Sequence, residues 1–393
     1  MTYSQQGWIK PAKNLFTTIA CTAVVSLVAQ SAFAQAGDKI RLEYPLLADL
    51  FNAFDVTQAQ TFEAIANINS QPAYTAARAE LREHLEMMKS MTMSDMMAAG
   101  GGMDHGSMGM GSSGPYPDME VEARINLLAS MRALHSDEEA AKAYADNSAI
   151  NRHTSEVIRR GRSFENQLFT IYIDDSIRNK RAAVNDAITE YLSDDRHSVA
   201  TLPKESDFLL QHNEAAGFKT AFPRLSGLMW TQQWLQLAAL EAVILESLDA
   251  QFARGVDVAL ERFWNKIGTD GGMSMFPAPS ELPMAPAIAP DLYSESPEAA
   301  IILDNLNTLE TVVADILSYP NVEDREAKMD AAVAMFTNKE TDNAEPMTYL
   351  LFALRGGIYN QGGPAVGELM QSERNRTRDA MGMQHTMIMS TGQ

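Results

Sequence analysis

Methionine normally enters a chain singly, as an adaptable filler of hydrophobic cores. In this chain it comes in pairs one residue apart: Met91/Met93, Met108/Met110, Met273/Met275, Met381/Met383 and Met387/Met389. Nine methionines fall between Met87 and Met110, with His84 and His105 beside them, and four more surround His385 near the C-terminus. The neighbouring residues are Gly, Ser and Asp, which build no core. A thioether is a soft ligand and selects soft metals, Cu(I) above all and Ag(I) with it. The chemistry these residues point to is capture of a soft cation, without transformation of a substrate.

The segments differ in what else explains them. His84, Met87, Met88 and Met91 stand at i, i+3, i+4 and i+7, one face of a helix. They read first as packing, because Leu81, Leu85 and Met88 already form an apolar stripe, and second as a face offering one nitrogen and several sulfurs. Met103-Asp104-His105-Gly106-Ser107-Met108-Gly109-Met110 has no apolar spacing to bury itself, and its glycines let the backbone wrap an ion. The tail holds Met381, Met383, His385, Met387 and Met389 within nine residues and suits capture and transfer of a metal. Met273, Met275 and Met284 form a weaker third patch.

The Met-Asp-His-x-x-Met run at 103–108 resembles the Met/His-rich segments of bacterial periplasmic copper-resistance proteins, over about 25 of 393 residues. The resemblance implies copper ligands at Met103, His105, Met108 and Met110, supported by Met91, Met93, Met96 and Met97. It implies nothing about the rest of the chain.

The compartment fits such a role. Lys10 and Lys13 precede an apolar stretch from Leu15 to Val28, and Ala32-Phe33-Ala34 has the small-x-small pattern of a cleavage site. Residues 1–34 therefore read as a secretory signal, cleaved after Ala34, which places the protein in the periplasm or outside the cell. The apolar stretch is short of the roughly 20 residues a spanning helix needs, so no stable membrane insertion is expected after cleavage. The only cysteine, Cys21, lies inside that leader, with Thr18 where a lipoprotein signal wants an apolar residue. Thiolate sites and disulfides are thus excluded from the mature chain. Without Lys10 and Lys13 the chain keeps 29 basic against 51 acidic residues, a net charge of −22. So acidic a protein is no candidate for nucleic acid. The expected partners are a soft metal ion and a copper transporter or another periplasmic copper protein.

Apolar residues recur at helical spacing nearly everywhere, and no strand alternation interrupts them. The fold class expected is all-α, a helical bundle or two packed bundles. Its parts would be N-terminal helices over 35–99, a Met/Gly-rich loop over 100–117, a central helical domain over 118–270, a Pro-rich linker over 271–291, C-terminal helices over 292–380 and a Met-rich tail over 381–393. Ser136-Asp137-Glu138-Glu139 has the layout of a capping box, and Ser296-Pro297-Glu298 that of a helix start. Helices are expected over 148–170, 180–193, 204–215, 226–252, 323–336 and 365–380. The strongest element holds Trp234–Leu245, where only Gln236 and Glu241 are polar, and is expected to be a buried central helix. Glu241 is expected to meet a buried cation such as Arg224, since an unpaired buried charge is costly.

No Glu-x-x-His pair, His-Glu-x-x-His, Cys-x-x-Cys-His, Gly-x-Ser-x-Gly or phosphate loop occurs. His135, His153, His197 and His212 are scattered among polar residues and read as surface groups. No catalytic residue is identified. The alternatives to copper binding are a helical scaffold of the cell envelope, whose Met-rich loop is a linker or an oxidant sink, and an enzyme with dispersed site residues.

Overall fold

The computed structural model describes residues 39–90, 114–204, 214–267, 282–320 and 324–356. The leader, Met91 to Met110, Met273, Met275, the helix expected over 365–380 and the Met-rich tail lie outside these residues.

The fold is all-α. No strand occurs among the described residues, where the only pairing of strand type is an isolated bridge between Lys204 and Asn343. The helices are α1 (Pro45–Ser70), α2 (Thr75–Ser90), α3 (Pro117–Arg132), α4 (Asp137–Ala143), α5 (Arg152–Ile173), α6 (Lys180–Tyr191) and α7 (Glu214–Ala221). There follow α8 (Pro223–Leu248), α9 (Gly255–Ile267), α10 (Ala285–Ile288), α11 (Pro290–Glu295), α12 (Pro297–Ser318), α13 (Arg325–Thr337) and α14 (Pro346–Gly356).

Proline starts many of these helices. Pro45, Pro117, Pro223, Pro290 and Pro297 occupy the first turn, each after a residue held outside helical geometry. Proline suits that turn because its missing N–H would have no partner there. The Ser136 capping box forms as expected: Glu139 N–H donates to Ser136 Oγ at 3.2 Å, and Ser136 N–H to Glu139 Oε2 at 2.8 Å. Ser296 caps α12, accepting from Ala299 N–H at 3.4 Å.

Three other helix starts are capped from a distance. Glu120 of α3 accepts from the N–H groups of Arg224 and Leu225 at the start of α8, at 2.6 and 3.1 Å. Glu241 of α8 accepts from Asp291 and Leu292 at the start of α11, at 3.0 and 3.2 Å. Asp304 of α12 accepts from Ala285 at the start of α10 at 2.8 Å, and from the Tyr349 hydroxyl at 2.6 Å. Each buried carboxylate answers N–H groups that a helix leaves without internal partners, and sits at the positive end of the helix dipole. Glu241 thus meets backbone and not a cation. Arg224, proposed as its partner, pairs with Glu120 instead, Nη1 to Oε2 at 3.2 Å.

Four long helices, α1, α5, α8 and α12, lie at the centre. α12 packs on α1 and α5, and α8 packs on both as well, with the shorter helices ranged around them. Buried residues from Ile40 to Ala353 form one hydrophobic cluster. The second half of the expected linker belongs to it. Leu282, Met284, Ala285, Ile288 and Ala289 are buried, in a stretch where α10 and α11 follow one another. Prolines at helix starts, read from sequence as linker composition, account for the difference. Met284 is therefore core, while Met273 and Met275 lie outside the described residues. Helices α9 and α14 were not anticipated, and the helix expected over 204–215 appears only from Glu214 onward among the described residues. No described helix is long and apolar enough to cross a membrane.

Gly161 of α5 faces Leu306 of α12. A Cβ there would lie 2.4 and 2.5 Å from the two methyls of Leu306 and 2.9 Å from its Cγ. Leu306 is 4 % exposed and has nowhere to go. Gly161→Ala should therefore destabilise the fold by about 1–3 kcal/mol from overpacking, less the ~1 kcal/mol that alanine returns in helix propensity. The urea midpoint reads the net sign, and Gly161→Ala combined with Leu306→Ala should recover part of the loss that Leu306→Ala causes alone.

Candidate functional site

Of the proposed metal ligands, His84 and Met87 have described side chains. Both lie on α2, whose core stripe is Leu81 and Leu85, each 0 % exposed. His84 is half-buried and Met87 is 42 % exposed. Met87 is thus only partly covered by its neighbours. The side chain of Met88 lies outside the described residues, as do Met91, Met93, Met96, Met97, Met103, His105, Met108, Met110, Met381, Met383, His385, Met387 and Met389.

The core takes its methionines one at a time. Met131, Met229, Met284 and Met329 are buried, and Met119 and Met335 pack against the core from its margin. These positions are dispersed in sequence, in contrast to the pairs.

Of the scattered histidines, His135, His153 and His197 are half-buried and satisfied, and His212 lies outside the described residues. His135 Nε2 is 2.8 Å from the Ser130 carbonyl, His153 Nε2 is 2.9 Å from that of Arg196, and His197 Nδ1 is 2.8 Å from Asp194 Oδ2. Among the described residues no three His, Cys, Asp or Glu side chains gather as a metal site. A cleft of about 400 Å³ lies between α1 and α3. Its lining includes Gln60, Asn67, Asn126 and Glu122 and brings no two titratable groups together.

The densest chemistry is internal and was missed from sequence. Where α1, α5, α8 and α12 meet, one guanidinium stands among three carboxylates. Arg162 Nη1 donates to Glu165 Oε2 at 2.9 Å, and Nη2 donates to both oxygens of Glu310 at 2.7 and 2.9 Å. Its Nε is 3.7 Å from Asp55 Oδ1. Gln58 Oε1 accepts from Arg162 Nη2 at 2.8 Å and from the Tyr144 hydroxyl at 2.9 Å. Three glutamines of α8 close the network. Gln233 Nε2 donates to Glu310 Oε2 at 3.3 Å and to the Asn307 carbonyl at 3.0 Å. Gln236 Nε2 donates to Glu165 Oε2 at 3.0 Å, and Gln232 Nε2 to Thr57 Oγ1 at 2.7 Å.

The side chains of Arg162, Glu165 and Glu310 are 10, 5 and 1 % exposed. Burial penalises every charge here. It pushes Asp55 up to about 7 despite the opposing pull of Arg162, and it raises Glu165 and Glu310 as well. Burial would depress the Arg162 guanidinium, but Glu310 and Glu165, with Tyr144 and Asp55 behind them, outweigh it and hold the charge firmly. The cluster therefore keeps a permanent cation in a surplus of acid, at the centre of the molecule.

One signal in the sequence could have located it. In α8 the polar residues Gln232, Gln233 and Gln236 border or lie in a stretch, Trp234 to Leu245, that is otherwise apolar except for Glu241. A helix apolar nearly all round is central, and polar residues on it face other polar residues. No protein-family model, curated protein or solved structure matches this chain.

Proposed function

We propose that this protein binds Cu(I), and Ag(I) with it, in the periplasm or outside the cell, through methionine thioethers and histidine, for storage, tolerance or delivery. The observation that carries the reading is the division of its methionines. The folded core uses dispersed ones, while Met87, the first of the 87–110 group, stands exposed beside His84 on a helix leading straight into that group. An exposed thioether next to an imidazole supports a ligand role, since burial is what methionine otherwise supplies. The ligands proposed are Met91, Met93, Met96, Met97, Met103, His105, Met108 and Met110, with His84, Met87 and Met88 contributing and the 381–389 tail and Met273/Met275 as further donors. A copper transporter or another periplasmic copper protein would be the partner.

The test is anaerobic Cu(I) titration of the chain against a chromophoric chelator. At least one equivalent should be withdrawn from the chelator. A variant with the methionines from 91 to 110 replaced by Leu should lose that competition while keeping its helical circular dichroism. Full affinity in the variant would overturn the assignment of this segment.

A second reading, a helical interaction protein, is favoured by one feature. Met347, Leu351 and Leu354 stand at i, i+4 and i+7 of α14, 65, 63 and 44 % exposed. Wild-type protein that fails to compete for Cu(I) at all would favour that reading.

A further inference from the structure

The Arg162 cluster fails two independent balances, one of charge and one of hydrogen bonding. The first is charge. One guanidinium faces the carboxylates of Asp55, Glu165 and Glu310, so the ionised cluster carries a net of two negative charges, two of its carboxylates being buried and the Asp55 side chain 19 % exposed. The second is hydrogen bonding. Gln233 and Gln236, 0 and 4 % exposed, each spend their amide N–H on a carboxylate of the cluster, which fixes the orientation of the amide. The oxygens on those same amides, Gln233 Oε1 and Gln236 Oε1, accept from no group among the described residues, while on the Asp55 side of the cluster Gln58 Nε2 and Arg162 Nε are donors without a hydrogen-bond acceptor. A buried acceptor without a donor costs about 1–3 kcal/mol, and here two of them border an excess of negative charge.

A proton on one carboxylate would cancel one charge and answer at most one amide oxygen, since the Gln233 amide is also held by the Asn307 carbonyl. A neutral water would answer the oxygens and leave the charge. A small cation answers both. The oxygen donors are hard, which disfavours soft metals, and the carboxylates are spread around Arg162 so that no three of them converge on a divalent ion. We propose that the centre of the α1/α5/α8/α12 bundle is a binding site for a monovalent cation, Na⁺, K⁺ or ammonium, held by Gln233 Oε1 and Gln236 Oε1 against Glu165 and Glu310. The site is distinct from the thioether segments and does not depend on the copper reading.

The experiment is thermal unfolding of the full chain at pH 8 and constant ionic strength, with N-methyl-D-glucamine chloride replaced stepwise by NaCl, KCl or NH4Cl. Ionic strength held constant removes general screening from the comparison. A cation that binds only the folded state raises the midpoint along a saturating curve. The expected rise is about 3 °C or more for the preferred ion, with a clear order among the three. Line broadening in ²³Na spectra, relieved by K⁺ if K⁺ is preferred, reports binding without unfolding. Gln236→Leu should abolish the saturating response. If that variant does not fold, the ²³Na measurement on the unmodified chain decides alone. Midpoints equal in all four salts at pH 8, with no broadening, would overturn the proposal and leave protons and water as the cluster's partners.

Discussion

Arg162→Met should be among the most damaging single substitutions in the folded part of this protein, costing about 3–5 kcal/mol in urea denaturation. The reason is asymmetry. A buried ion pair often contributes little net stability, because desolvation of the two charges consumes most of their attraction. Removal of one partner is different, since the remaining charge keeps its desolvation penalty and loses its compensation. Here one guanidinium serves Glu165, Glu310, Asp55 and Gln58 at once. Arg162→Lys should recover only part of the loss, because a single ammonium cannot form the forked pattern that Nη1 and Nη2 make. The diagnostic variant is Arg162→Met combined with Glu165→Gln and Glu310→Gln. With the charges removed together it should be more stable than Arg162→Met alone. A triple variant less stable than the single would mean that shape, and not charge, governs this site.

The second large effect is a loss of stability as pH rises through neutrality, the reverse of ordinary acid denaturation. Burial is the first cause in each case. It pushes Asp55, Glu120 and Asp304 up to about 7 and Glu241 to about 8, against the charge of Arg162 at Asp55 and against hydrogen bonds at the other three. A carboxyl whose folded pKa is raised holds its proton more tightly in the fold than in the unfolded chain. Its contribution is complete below about pH 4, and drains away as pH climbs to 7 or 8 and the unfolded state ionises first. Each pH unit between the two values is worth about 1.4 kcal/mol per group, so a single such group should lower the unfolding free energy by about 3 kcal/mol between pH 5 and pH 8.5, and the four together by more. Asp137, Asp174 and Asp194 are held below the usual range, by hydrogen bonds from Asn52, Ser176 and His197 respectively, and act in the opposite sense. Their window lies below about pH 4 and leaves the neutral range to the buried acids. Urea titrations at pH 5, 7 and 8.5 measure the slope. A midpoint that holds level or rises across that range would refute the assignment, and Glu241→Gln should flatten it by that residue's share.

The two effects share an origin that was only partly legible beforehand. Helical periodicity, the Ser136 capping box and the Ser296-Pro297 start translate directly into α4, α12 and their neighbours, because caps and periodicity depend on residues a few positions apart. Glu241 shows where that legibility stops. A lone carboxylate in an apolar helix announced that it needed a partner, and the natural guess was a cation. The partner is the N-terminus of α11, about 50 residues away in sequence, and a backbone N–H carries no mark in the sequence. The same holds for Glu120 and Asp304. The 271–291 stretch erred for a related reason: proline punctuates linkers and begins helices alike, and burial of Leu282 to Ala289 separates the two only after the chain has packed.

By itself, the sequence determined an all-α fold, the places where many helices begin, and the clustering of thioethers away from any apolar periodicity. Those properties are local, set by propensity, capping and composition within a few turns. Tertiary structure alone decided that α1, α5, α8 and α12 surround a polar centre. Arg162, Glu165 and Glu310 look in sequence like the outward faces of amphipathic helices, and only the packing of other helices over those faces turns three surface charges into a buried cluster with a deficit of positive charge. It also decided that Met284 is core while Met87 is exposed, since the identity of a methionine says nothing about which side of its helix a neighbour will cover.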